Sequence, residues 1–81
     1  MEPVHSAFVL MNAELGKENK LVSELRKIPN VKEVYPVYGV YDVVMEIEAD
    51  SMETLRETIT NNVRKIDGIK STLTMIIVKE Q

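Results

Sequence analysis

The sequence predicts an α+β domain of element order β-α-β-β-α-β, the ferredoxin-like arrangement of a four-stranded antiparallel sheet with both helices on one face. Three observations carry this. The chain of 81 residues says part of itself twice, because Arg26-Lys27-Ile28-Pro29-Asn30-Val31-Lys32 returns as Arg64-Lys65-Ile66-Asp67-Gly68-Ile69-Lys70. Each copy ends a helix in two basic residues, turns, and begins a β-branched strand. Between the copies, Val37-Tyr38-Gly39-Val40-Tyr41-Asp42-Val43 holds a glycine that permits a tight reversal between two strand-like segments. Apolar residues recur at helical spacing on the approach to each copy and in alternation elsewhere.

The segment 6–14 reads as the first strand, with Ala7, Val9, Met11 and Ala13 on one face and Phe8, Leu10 and Asn12 on the other. Both faces are largely apolar, which predicts cover on both sides. Gly16 breaks the pattern, and 17–27 reads as a helix with Leu21, Val22, Leu25 and Ile28 in one stripe. Pro29-Asn30 stops it, and the basic pair Arg26-Lys27 suits the negative end of the helix dipole. The second strand is 31–38, and Pro36, which lacks an N–H, makes it an edge strand. The third is 41–49, with Tyr41, Val43, Met45 and Ile47 on one face and Asp42, Val44, Glu46 and Glu48 on the other. Asp50-Ser51 with Glu53 reads as a helix start, with a capping oxygen and an acid in the first turn. Leu55, Ile59, Val63 and Ile66 form the buried stripe of this second helix, and Asp67-Gly68 ends it. The last strand, 69–78, is again apolar on both faces, Leu73, Met75 and Ile77 against Ile76 and Val78. Lys79-Glu80-Gln81 reads as a polar tail. Residues 1–81 form a single domain without a linker.

Right-handed crossovers in both halves place the two helices on the same side of the sheet. The other side is then bare, yet the first and last strands carry apolar side chains there. An apolar patch of that size exceeds what a monomer ordinarily exposes. A second copy packed face to face in a two-fold dimer resolves the conflict.

Composition excludes several function classes. The chain contains no cysteine, so disulfides and thiol chemistry are out, which fits a cytoplasmic protein. No run approaches the ~18 apolar residues of a membrane span, and Met1-Glu2-Pro3-Val4-His5 lacks the pattern of a signal peptide. Net charge is −3 with both signs interspersed, which argues against direct nucleic-acid binding. The catalytic inventory is thin. His5, the single histidine, reads as a strand-start residue. Glu46 and Glu48 read as the solvated stretch of a half-buried strand, and Met11, Met45, Met52 and Met75 as core filling. No cluster has metal-ligand spacing, and no motif implies a cofactor. The turn around Gly39 is different, because it gathers the Tyr38 and Tyr41 phenols and the Asp42 carboxylate. Asp42 needs a partner there, and a backbone N–H within the turn and a ligand are equally good readings. Ser71, Thr72 and Thr74 read first as strand filler and second as hydroxyls for a polar ligand.

At these residues the chain resembles the effector-binding domain of the Lrp/AsnC transcription regulators, the RAM domain. The matching strings are Ile28-Pro29-Asn30-Val31-Lys32-Glu33-Val34, Gly39-Val40-Tyr41-Asp42-Val43 and Ile66-Asp67-Gly68-Ile69-Lys70-Ser71-Thr72-Leu73-Thr74, in family order. The resemblance implies dimers joined through their sheets, rings of dimers (commonly octamers), and an amino-acid effector bound between dimers. It implies that Gly39, Val40, Tyr41 and Asp42 lie at the effector pocket, with Asp42 on the ligand ammonium group or ordering the loop. It sets Thr72 and Thr74 on the same cleft, and Arg56 and Thr60 near the effector side chain. Val40 departs from the polar residue common in relatives. The chain begins almost at its first strand, which predicts a stand-alone domain without a helix-turn-helix, acting through partners such as a full-length regulator. The expected function is therefore non-catalytic amino-acid sensing and assembly. The rivals are a small dimeric α+β barrel enzyme, resembling monooxygenases or isomerases, and a purely structural partner of a regulator.

Overall fold

The computed structural model describes residues 4–78, so the expected polar tail Lys79-Glu80-Gln81 lies outside the described residues, as does 1–3 of the N-terminus. The elements are β1 (His5–Ala13), α1 (Glu18–Leu25), β2 (Val31–Pro36), β3 (Val43–Ala49), α2 (Met52–Glu57), which runs on as a π-helical segment over Thr58–Val63, and β4 (Ile69–Ile76). The strands form one antiparallel sheet in the order β2-β3-β1-β4. This is the predicted ferredoxin-like order, with β2 on an edge.

Strand alternation builds the core. Ala7, Val9 and Met11 of β1 and Val43, Met45 and Ile47 of β3 are fully buried beside Leu21 and Leu25 of α1 and Leu55 of α2. At the β2 edge, Pro36 removes a backbone donor, and the Arg26 guanidinium donates to the Val34 carbonyl at 3.2 Å. Arg26 therefore serves the β2 edge, rather than the last turn of α1, which contains no basic residue. Asn30, in the left-handed region at φ 73, carries the chain from α1 into β2.

Several expected boundaries shift, each for a local reason. β2 stops at Pro36 and β3 starts at Val43, so Tyr38 and Tyr41 belong to a loop and not to strands. Val37 N donates to Asp42 O at 2.8 Å and closes that loop. Gly39 sits at φ 148, where an L side chain is disfavoured. Gly68 (φ 101) turns the chain into β4, and a Cβ there would meet the Lys17 side chain at 3.4 Å.

The second helix departs most from its regular stripe. The turn widens over Thr58–Val63, and Thr58 rather than Ile59 is buried with Val63. Its hydroxyl donates to the Thr54 carbonyl at 2.9 Å and accepts from Asn30 Nδ2 at 3.1 Å. A threonine that satisfies an i−4 carbonyl is a known local distortion of helices. Thr58→Val keeps the shape and removes this bridge between the second helix and the turn that leads from α1 into β2. It is expected to cost about 1 kcal/mol, a fall of roughly 4–8 °C in Tm, readable by thermal denaturation.

The face of the sheet away from the helices is bare. Tyr35, Val44, Leu10 and Leu73 form one row across all four strands, and Glu33, Glu46, Phe8 and Met75 the next. Tyr35, Leu73, Met75 and Ile77 remain 42–49% exposed. Met75 is thus a surface residue of this face and not the core filler that its spacing implied, whereas Met11 and Met45 are core.

Candidate functional site

The loop between β2 and β3 is tied down by Asp42. Its backbone N–H donates to Met11 O at 2.9 Å, and its Oδ2 accepts from Ala13 N at 2.9 Å. The carboxylate therefore does accept a backbone N–H, but from the end of β1 rather than from within the turn. Asp42 is held where strand pairing stops, and it lines a cleft of about 500 Å³ with Glu18, Pro36, Val37 and Tyr38. Tyr38 and Val40 stand out into solvent, Val40 83% exposed, whereas Tyr41 is half-buried.

Glu18 comes from the first turn of α1, where an acid complements the helix dipole. It is not among the expected site residues. Its place at the mouth of the cleft follows only once the β1–α1 turn has brought α1 back over the sheet. Glu18 and Asp42 make the cleft acidic, Tyr38 adds a phenol, and Pro36 and Val37 supply apolar wall. Such a cleft suits an ammonium group with a short apolar chain.

The expected residues fall into two groups. Gly39, Val40, Tyr41 and Asp42 form the loop. Met11 pairs with both Val43 and Thr72, so Thr72 lies two strands beyond the β3 end of this loop, about 10 Å away. Thr74 lies opposite Val9, further along β4. Thr72 and Thr74 share the helix side of β4 yet are exposed, because β4 hangs beyond α2. Arg56 and Thr60 are exposed on α2 and its continuation. Thr54 lines a separate cavity with Asn30, and Thr58 bonds Asn30, so Arg56 and Thr60 occupy a different flank of that helix. One protomer therefore does not unite the eight residues in a single cavity.

The remaining ionisable groups are dispersed. A second cavity of about 260 Å³ at the opposite end of the sheet is lined by Val4, Asn30, Glu48, Ala49, Asp50 and Thr54. His5, Glu46 and Glu48 are half-buried and do not converge with Asp42. Among the described residues no group of three potential ligands could hold a metal ion, and no helix is long and apolar enough to cross a membrane. Near the site, Lys17 bonds Asp67 at 3.2 Å and Glu14 at 3.3 Å, and these partners raise its pKa, Asp67 most. A raised amine contributes its full stabilisation below its ordinary value of 10.5 and loses it only above, so this clamp is constant through neutral pH.

Comparison with known proteins gives a consistent picture. Residues 6–81 match the family described as the Lrp/AsnC ligand binding domain. The HTH-type transcriptional regulator FL11 of Pyrococcus furiosus is 37% identical over 73 residues, which cover 90% of this chain and 48% of the relative. The chain thus spans about half the length of such curated relatives. The crystal structure of hypothetical protein PHS023 from Pyrococcus horikoshii is 41% identical with a TM-score of 0.86, covering 94% of this chain and 92% of the other. The transcriptional regulator NMB0573 of Neisseria meningitidis, solved as an L-Met complex, is 17% identical with a TM-score of 0.77 over 94% of this chain and 51% of the other, a likeness of fold alone.

Proposed function

This chain belongs to the Lrp/AsnC ligand-binding domain family, and from that premise we propose that it is a non-catalytic amino-acid sensor whose ligand bridges copies of the chain. The observation that carries the reading is the Asp42 cleft, which joins a carboxylate fixed by the β1 backbone to an apolar wall and a phenol. Asp42 takes the ligand ammonium group, and the amides of Gly39 and Val40 meet its polar ends beside Tyr41. Among the described residues no basic side chain lines the cleft, so the ligand carboxylate finds no counter-charge there. A neighbouring copy that presents Thr72 and Thr74, with Arg56 and Thr60 near the ligand side chain, completes the site. The L-Met bound by the same-fold regulator from Neisseria meningitidis supports the ligand class.

The bare sheet face supports dimerisation. Four strands about 4.8 Å apart and about eight residues long present on the order of 500 Å² per copy. Pairing two such faces removes roughly 1,000 Å² or more, the lower bound of a specific interface. Rings of dimers, octamers as the family resemblance implies, then place two loops at each ligand. Regulator relatives support a role in the cytoplasm in transcriptional control, exerted through partners, a full-length regulator among them, rather than by DNA contact of this domain.

Calorimetry against the twenty amino acids, with light scattering in parallel, tests the proposal. Binding of at least one amino acid, with a matching change in assembly, supports it. Absence of binding at millimolar concentration removes the sensing role and leaves assembly alone. The enzyme alternative requires two of His5, Asp42, Glu46 and Glu48 in one protomer cavity, and their dispersal favours the sensor.

A further inference from the structure

We infer that Met75 is an oxidation site on the bare sheet face, and that a peroxide, by converting it to the sulfoxide, opens the pair of sheets. The inference rests on the dimer reading above. Five methionines stand in a chain without cysteine, so thioethers are the sulfur groups on which an oxidant can act. Met1 lies outside the described residues. Of the four others, Met11 and Met45 are 0% exposed, and Met52, at the start of α2, is half-buried against the core. Met75 alone among these four is open, at 47%.

The step is a two-electron oxygen transfer. One oxygen of hydrogen peroxide bonds to the thioether sulfur, the O–O bond breaks, and the other oxygen leaves as water. The sulfur is oxidised and the peroxide reduced. The product replaces a flexible apolar side chain with a polar, chiral one. Two electrons from a dithiol, which closes to a disulfide, return the thioether and release the oxygen as water.

Position gives the change its consequence. Met75 lies directly opposite Phe8 of β1, and Leu73 and Ile77 flank it on the same face. A thioether beside an aromatic ring is a favourable contact. The sulfoxide oxygen is a strong acceptor set among these apolar groups. Ser6, diagonal to Met75 across the β1–β4 pair, is the nearest hydroxyl by register. Glu46 follows Phe8 along the row, and a carboxylate offers no donor. In a separate protomer water solvates the sulfoxide. Pairing of the faces strips that water away, which is costly. Oxidation therefore favours separate protomers, and pairing, which covers the sulfur, slows oxidation.

Hydrogen peroxide treatment of the intact chain, followed by peptide mass mapping and sedimentation equilibrium, reads the effect, with Met75→Leu beside the parent. Leucine keeps an apolar side chain of similar volume. The parent is expected to gain one oxygen at Met75 before Met11, Met45 or Met52, and to gain it faster when diluted below its dimer constant. Its dimer dissociation constant is expected to rise at least about tenfold, with circular dichroism unchanged, and to recover after a methionine sulfoxide reductase with a dithiol. Met75→Leu is expected to dimerise like the parent and to keep its constant under the same peroxide dose. A parent oxidised at Met75 that keeps its constant overturns the switch and leaves the dimer intact, as does a loss of pairing equally large in Met75→Leu. An oxidised parent that loses its circular-dichroism signal also overturns the switch, because the effect then lies in the core. A chain that is monomeric before peroxide at every concentration overturns the dimer reading itself.

Discussion

Asp42→Ala is expected to weaken amino-acid binding by at least about tenfold and to lower stability by about 1–3 kcal/mol, because it removes a charged hydrogen-bond acceptor and orphans the Ala13 amide. Asp42→Asn separates the two effects. An asparagine oxygen still accepts from Ala13 N, which the native Oδ2 engages at 2.9 Å, so the loop stays closed. What it lacks is the negative charge. Calorimetry and thermal denaturation of both variants then apportion the residue's roles. If Asp42→Asn binds the amino acid as tightly as the parent, the carboxylate orders the loop and the ammonium group is held elsewhere, with Glu18 across the cleft the next residue to replace. If Asp42→Asn keeps the parent's Tm and loses affinity, the charge acts on the ligand directly.

The fold was legible because its signals are local and redundant. Alternation in β1 and β3 and the stripe Leu21, Val22 and Leu25 each state which side faces inward, and the core contains those residues. The edge position of β2 was legible from Pro36 alone. Less was legible where one side chain decides the backbone. Thr58 opens the widened stretch of the second helix with bonds to Thr54 and Asn30, and Asn30 is distant in sequence. The Tyr38–Asp42 turn announced itself through glycine, phenols and a carboxylate in sequence. Its backbone partner did not, since Ala13 is brought to Asp42 only by strand pairing. Glu18 was invisible for the same reason, and its sequence signal was merely that of an acid at a helix start. Thr72 and Thr74 show the limit of a motif, because order along a chain does not reveal that β1 separates two of its strings.

Leu10→Asp is expected to raise the dimer dissociation constant by at least about a hundredfold while the protomer keeps its fold. Leu10 lies mid-row between Val44 and Leu73 on the bare face, and its neighbours Val9 and Met11 point into the core. The substitution therefore leaves the helix–sheet packing untouched. In the dimer, however, an unpaired carboxylate would sit inside apolar surface, a cost of several kcal/mol. Leu73→Asp on β4, where the native side chain is already half-exposed, should act in the same direction. Circular dichroism checks that each variant is folded, and light scattering reads its size. Because a protomer loses the stabilisation of association, Tm should also fall and should cease to depend on protein concentration. If Leu10→Asp is folded and keeps the parent's size, the sheet face is not the interface. The chain must then associate, if at all, through the exposed loop around Tyr38 and Val40, and a ligand bridging copies would join them without the sheets.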